Sequence, residues 1–100
     1  MKTLNDICKS IGEGWEVDCC QKNELAAGFH RLKNNKEKNF YIYCCFVGEM
    51  IFIRPNIYNE LNGVSYTTNI NRGAKAIGKS IKLNVLNQKR YLFDIVNNRS

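Results

Sequence analysis

His30 is the single histidine of this 100-residue chain, and five cysteines supply the thiols that it could activate. A Cys–His pair can perform nucleophilic catalysis, but no stretch around these cysteines resembles the local signature of such an enzyme. Because His30 lies on a predicted strand beside Arg31, we expect it to be a structural residue. The sequence therefore predicts a protein that is not an enzyme.

The cysteines are arranged as one single residue and two adjacent pairs: Cys8, Cys19-Cys20 and Cys44-Cys45. Neighbouring residues on a strand point to opposite faces, so each pair could give only one ligand to a zinc site. The odd number and the spacing do not resemble a secreted disulfide framework. We expect no metal or other cofactor, and reduced thiols that pack as small hydrophobic side chains in a cytoplasmic protein.

Basic side chains give the clearest functional pattern. Residues 1–71 contain eight cations and eight carboxylates, whereas residues 72–100 contain seven cations against Asp94 alone, so the whole net charge of +6 lies at one end. On a helical wheel at 100° per residue, six of these cations share one arc. They are Arg72, Lys75, Lys79, Lys82, Lys89 and Arg90. We expect this arc to contact an anionic partner, either a nucleic acid or an acidic protein surface.

Two tyrosines form a second candidate contact. Tyr41 and Tyr43 share a strand face opposite Phe40, Ile42 and Phe46, so they are displayed outward if the latter three face the core. Outward tyrosines can stack on bases or anchor a protein interface. The alternative is a two-sided sheet whose outer face is partly covered by a loop or by a dimer partner.

The elements that position these residues follow from hydrophobic spacing. Leu4, Ile7, Cys8 and Ile11 share one face of an N-terminal helix that Gly12 ends. Five strands follow, at Trp15–Cys20, Ala27–Leu32, Phe40–Val47, Met50–Arg54 and Val64–Ile70. A polar loop occupies Asn34–Asn39, and Gly48-Glu49 suits a type II′ hairpin turn. Pro55 is expected to end the fourth strand, because proline lacks a backbone donor, and Ile57 and Tyr58 are possible apolar anchors in the loop after it.

The C-terminal segment has an apolar stripe beside the cationic arc. Its members are Ala74, Ile77, Ile81, Val85, Leu92, Ile95 and Val96. A break at Lys82–Gln88 would give two helices, which fits as well as one. The order α-β-β-β-β-β-α predicts a single α+β domain over residues 1–100, with an antiparallel four- to five-stranded sheet flanked by an N-terminal and a C-terminal helix. No stretch is long and apolar enough to span a bilayer, and the N-terminus does not resemble a signal peptide.

The run from Asn69 to Ile81, NINRGAKAIGKSI, resembles a motif of small phage and prophage proteins, in which a strand leads into a helix of the form Arg-x-x-Lys-x-Ile-Ala-x-x-Ile. The resemblance covers mainly residues 64–83. The chain departs from the motif at Gly78, where the motif has alanine, and after Ile81, where a basic leucine-rich ending is missing. The resemblance implies a phage accessory protein, a class that includes anti-CRISPR and other anti-defence inhibitors.

These features lead to one functional expectation and one alternative. The first is a non-enzymatic phage-type accessory protein that binds and blocks a host protein or nucleoprotein complex in the host cytoplasm. The alternative is a small DNA- or RNA-binding protein that uses the same basic helix.

Overall fold

The computed structural model of the chain describes residues 2–18, 29–57 and 61–98. Helix α1 (Lys2–Ile11) precedes six strands, and two helices follow them. The strands are β1 (Trp15–Val17), β2 (Phe29–Asn34), β3 (Glu37–Val47), β4 (Met50–Ile57), β5 (Leu61–Asn62) and β6 (Tyr66–Asn69). The helices are α2 (Ala74–Asn84) and α3 (Lys89–Asn97), each preceded by a short 3-10 turn, at Ile70–Arg72 and Leu86–Gln88. The predicted α+β class is confirmed.

All strand pairs are antiparallel, in the spatial order β1-β2-β3-β4-β5. β6 also pairs with β4, so β5 and β6 share the outer edge of that strand. The described residues thus form six strands where the sequence predicted four or five. The additional strand is β5, which has only two residues and lies within the predicted loop after Pro55.

The β3–β4 hairpin confirms the predicted turn at Gly48-Glu49. Gly48 has a φ of 59°. Glu49, the second central residue of the turn, does not have a positive φ, because Asn39 is the one non-glycine with a positive φ among the described residues. A positive φ at only the first central position is the signature of a type II′ turn, which suits glycine there. This turn sets the register that pairs Val47 with Met50.

The prediction that Pro55 ends a strand is wrong, because β4 continues through it to Ile57. Pro55 lies opposite Ile42 of β3, and its carbonyl accepts a hydrogen bond from the Gly63 amide at 2.8 Å on the other side. The backbone nitrogen and the carbonyl oxygen of one strand residue point to the same side of the strand. The nitrogen of Pro55, which carries no hydrogen, therefore points toward Gly63 between β5 and β6 and away from β3. No hydrogen bond to β3 is lost, and the proline is tolerated.

The other strand boundaries move by a few residues. β3 begins at Glu37, inside the predicted polar loop, and Asn39 with its φ of 68° lies in a bulge of that strand. β2 continues to Asn34, two residues beyond its predicted end, and β6 is shorter than predicted at both ends. Cys19, Cys20, Tyr58 and the start of the predicted second strand lie outside the described residues.

The three helices cover one face of the sheet. The main core cluster joins the apolar faces of α1 and α2 to the inward side chains of β2, β3 and β4, and a smaller cluster of Phe40, Ile57 and Leu92 lies under α3. The apolar residues predicted for α1 are all buried, as are Ile77, Ile81, Val85 and Leu92. No helix among the described residues is long and apolar enough to cross a membrane.

Candidate partner-binding surface

Four of the six predicted cations lie together: three lysines on the exposed side of α2, and Arg72 in the 3-10 turn just before that helix. Lys75, Lys79 and Lys82 are exposed and, at positions i, i+4 and i+7, project from one side of the helix. They line an open groove of about 1020 Å³, which we call the cationic groove. Its lining residues are Ser10, Arg72, Lys75, Ala76, Lys79, Lys82 and Leu83. The groove thus combines positive charge with two apolar residues, Ala76 and Leu83, which we call its floor.

The three lysines of the groove are electrostatically uncompensated within the described part of the chain. None of them forms an ion pair with a described residue, and no carboxylate is among the groove's lining residues. Like charges four residues apart on a helix repel each other by roughly 0.2–0.5 kcal/mol. An anionic ligand would remove that repulsion, so the surface is suited to binding one.

Gly78 allows α1 and α2 to approach closely beside the groove. A Cβ placed on Gly78 would lie 2.3 Å from the Cβ of Ser10 and 2.8 Å from the carbonyl carbon of Ser10, both well inside van der Waals contact. Only glycine fits at this crossing without displacing the backbone of α1. The close approach also brings Ser10 into the lining of the groove.

Arg72 attaches the start of α2 to β6. Its Nη1 lies within hydrogen-bond distance of three hydroxyl oxygens, those of Tyr66 (3.2 Å), Thr68 (3.0 Å) and Ser80 (3.1 Å). Hydrogen bonds with Ser80, Arg72 and Thr68 outweigh burial and lower the pKa of Tyr66. Arg72 therefore contributes positive charge to the groove and also positions the helix that carries the lysines.

The C-terminal segment is two helices, so the wheel that placed six cations on one arc is interrupted after α2. Val85 and the 3-10 turn Leu86–Gln88 separate α2 from α3. Lys89, the first residue of α3, forms an ion pair with Glu37 of β3. Arg90 is exposed but is not among the groove's lining residues. The structure therefore separates Lys89 and Arg90 from the other four cations.

The side chain of Gln88 stabilises the break between α2 and α3. Its Oε1 accepts a hydrogen bond from the Val64 amide at 2.8 Å, and its Nε2 donates to the Val64 carbonyl and to the Asn84 carbonyl, both at 2.9 Å. One side chain thus ties the end of α2 to the segment between β5 and β6. No local pattern indicates this contact, because it joins positions 24 residues apart.

Tyr41 and Tyr43 lie on the outer face of the sheet, opposite the helices, as predicted from strand alternation. Both are half-buried and engaged within the chain. The Arg31 guanidinium lies 4.4 Å from the ring centroid of Tyr41, and the Arg54 guanidinium lies 5.8 Å from that of Tyr43. The tyrosines are therefore on the other side of the sheet from the cationic groove.

Arg31 and Asp18 form a buried ion pair next to Tyr41. Arg31 donates from Nε and Nη2 to Oδ2 of Asp18, at 2.9 and 2.6 Å, and the two residues are 5% and 7% exposed. Burial acts to lower the pKa of Arg31, but hydrogen bonds with Tyr43 and Asp18 prevail and raise it. A buried ion pair whose charges are satisfied within the chain stabilises the fold. This part of the outer face therefore has a structural role.

An apolar patch that includes Phe29, which was not among the predicted contact residues, lies farther along the outer face. Phe29, Cys45 and Phe52 align across β2, β3 and β4, and the two phenylalanines are 41% and 42% exposed. They line a small pit of about 70 Å³ together with Tyr43 and Arg54. Alternation along β2 could have identified Phe29, because it points away from the core residue Leu32.

The residues considered for catalysis have structural surroundings. The His30 ring packs edge-on against Phe46, with centroids 5.8 Å apart. Burial and the charge of Glu16 raise the pKa of the Cys8 thiol to about 11, and burial raises the pKa of Cys44 as well. Among the described residues, no three His, Cys, Asp or Glu side chains gather as metal ligands would.

Comparisons with protein-family models, with curated protein sequences and with solved structures found no match. A functional proposal for this chain therefore rests on the cationic groove and on the motif that builds it.

Proposed function

We propose that this chain is a non-enzymatic binding protein that contacts an acidic surface of a host protein or nucleoprotein complex and blocks it. The observation that carries the proposal is the row of three exposed lysines on α2 that lack a counter-charge among the described residues. A surface charge pattern of one sign steers and orients an oppositely charged partner.

The phage-type resemblance supports a role in blocking a host machine. It covers residues 64–83, which include β6, the 3-10 turn and most of α2, the segment that supplies most of the groove. We therefore propose that the protein is a phage accessory protein of the anti-CRISPR or anti-defence kind, acting stoichiometrically by occupying a surface.

The buried thiols support binding over catalysis. A cysteine nucleophile needs a thiolate, which a neighbouring base or a positive environment usually provides. The raised pKa values of Cys8 and Cys44 keep both thiols protonated at neutral pH. The ring of His30 packs against Phe46, so the surroundings of the histidine are those of a packing residue.

Direct binding of DNA or RNA is the alternative function. The row Lys75, Lys79 and Lys82 runs for about 10 Å along α2, and such a row of cations suits a phosphate backbone. A direct binder of nucleic acid should lose affinity by orders of magnitude between about 50 and 200 mM salt if it neutralises about six or more phosphates. Failure of random duplex and single-stranded oligonucleotides to bind at low salt would exclude this alternative.

The proposal is tested by capture from a host lysate with three forms of the protein. One variant reverses the groove lysines (Lys75→Glu, Lys79→Glu, Lys82→Glu), and a control reverses three lysines of the β2–β3 hairpin (Lys33→Glu, Lys36→Glu, Lys38→Glu). Both variants change the net charge equally. We expect the wild type and the control to capture the same partner and the groove variant to lose it. If the groove variant retains every partner, the site is wrong.

A further inference from the structure

The floor of the cationic groove indicates what kind of anionic surface it accepts. Leu83 is 62% exposed and Ala76 is half-buried, and both line the groove alongside the lysines. Burying a leucine side chain is favourable, but only an apolar group of the partner can replace the water around it. The groove therefore suits a ligand that carries apolar side chains as well as negative charge.

The spacing of the lysines matches a helical ligand. Lys75, Lys79 and Lys82 stand at i, i+4 and i+7 on α2. A second helix lying beside α2 has the same rise per residue, so carboxylates at its own i, i+4 and i+7 positions would meet the lysines in turn. Amphipathic helices commonly dock in grooves through such repeating anchors.

The composition of the lining disfavours a single-stranded nucleic acid in this groove. None of its described lining residues is aromatic, whereas single-stranded nucleic acids are usually held by stacking of bases on aromatic rings.

We propose that the ligand of the cationic groove is an acidic amphipathic helix of a partner protein, with carboxylates facing Lys75, Lys79 and Lys82 and an apolar side chain against Leu83. This inference rests on the proposed function, because it names the partner chemistry for the same surface. Lysines supply attraction and register, and Leu83 supplies the apolar contact.

A displayed library of helix-forming peptides tests the inference without knowledge of the natural partner. The peptides are about 16 residues long, enough to form a helix on binding, and vary among Glu, Lys, Leu and Ser at each surface position. We expect selection on the wild-type protein to enrich Glu at i, i+4 and i+7 with Leu between them. Enrichment of Glu without a fixed spacing, or of no acidic sequence, would overturn the inference.

Point variants separate the apolar contact from charge alone. Leu83→Ser should weaken binding of the enriched peptide at least tenfold in a titration at fixed salt. Tyr91→Ser is the matched control, because Tyr91 is 67% exposed on α3 and is not part of the groove lining. Equal affinity of the wild type and the Leu83 variant would show that the floor does not contribute, and the inference would fail.

Comparing the affinities for nucleic acid and for the enriched peptide distinguishes failure of this inference from failure of the proposed function. A random duplex of about 20 base pairs should bind at least tenfold more weakly than the enriched peptide at about 100 mM salt, where phosphate contacts are already weakened. Tighter binding of the duplex that depends on Lys75, Lys79 and Lys82 would overturn the helical ligand but retain the groove as the contact surface. Undiminished peptide binding by the groove-reversed variant would overturn both.

Discussion

Gly78 is the residue at which two requirements on α2 conflict. Within an isolated helix, alanine is more favourable than glycine by about 1 kcal/mol. In the folded chain, the same position faces the backbone of α1, and a Cβ there would approach the carbonyl carbon of Ser10 to 2.8 Å. Backbone atoms cannot move aside as the end of a flexible side chain can. Packing against α1 therefore outweighs helix propensity at this position.

We predict that Gly78→Ala destabilises the protein by about 1–3 kcal/mol, because overpacking a buried contact costs more than the gain in helix propensity. The free energy of unfolding from urea denaturation measures the effect. Ser10→Gly removes the nearest Cβ, so the double variant should recover part of the loss. A Gly78→Ala protein as stable as the wild type or more stable would show that the helices are farther apart than described.

Cys8 makes stability sensitive to alkaline pH. The unfolded chain loses the thiol proton near the ordinary pKa of 9.0, whereas the folded chain keeps it up to about 11. The free energy of unfolding is therefore unaffected by ionisation of this thiol below pH 9.0. It falls by about 1.4 kcal/mol per pH unit as the pH rises toward 11. Denaturant unfolding under reducing conditions from about pH 8 upward should show the decline.

A Cys8→Ala variant provides the control for this pH dependence, because it removes the thiol and leaves every other ionisable group in place. The variant is expected to be less stable at neutral pH and to have a shallower decline above pH 9. Parallel curves for the two proteins would mean that the Cys8 thiol is not protected by burial.

Gln88 is the main contact that defines the end of α2 as an element. Its side-chain amide satisfies both the amide and the carbonyl of Val64 and the carbonyl of Asn84. We predict that Gln88→Ala lowers the free energy of unfolding by about 0.5–1.5 kcal/mol, because it removes hydrogen bonds whose exposed backbone partners can still bind water. The Val64 amide should exchange with deuterium faster than in the wild type, since its hydrogen bond is removed.

Asn87→Ala is the matched control for this element, because Asn87 is an exposed neighbour in the same 3-10 turn. It should change the free energy of unfolding by less than about 0.5 kcal/mol, as surface substitutions usually do. Similar effects of the two substitutions would mean that the helix break does not depend on Gln88.

Local pattern was enough to predict most elements, but not their ends. The apolar spacing of Leu4, Ile7, Cys8 and Ile11 predicted α1, and the type II′ turn at Gly48 followed from one glycine. The end assigned at Pro55 was wrong because tolerance of a proline depends on which side of the strand its nitrogen faces. That side is set by the pairing of β4 with its neighbours, which no local pattern records.

At the scale of the whole molecule, the two sides of the sheet carry different surfaces. The helix-covered side presents the cationic groove, and the outer face presents the patch of Phe29 and Phe52 beyond a row of internally paired Arg and Tyr side chains. The charge count showed that the excess of cations lies in residues 72–100, and helical spacing predicted that they share one face. Neither could predict that Lys89 turns away to Glu37, because that depends on the helix break.

The groove itself also depends on contacts that the sequence pattern does not show. Ser10 reaches it because Gly78 lets α1 approach α2, and the row of lysines begins at a position fixed by hydrogen bonds of Arg72 to β6. Composition identified the charged residues, and helical spacing identified Lys75, Lys79 and Lys82 as neighbours. The apolar floor at Leu83 was visible only in the fold, since Leu83 lay outside the predicted core stripe.

The central claim, that the cationic groove is the contact surface, is tested most directly by lysine reactivity. The protein is treated with an acetylating reagent, free and in complex with its captured partner, and the modification of each lysine is measured by mass spectrometry. The account predicts that Lys75, Lys79 and Lys82 lose reactivity in the complex while Lys36 and Lys38 do not. Unchanged reactivity of the three groove lysines in a saturated complex would contradict it.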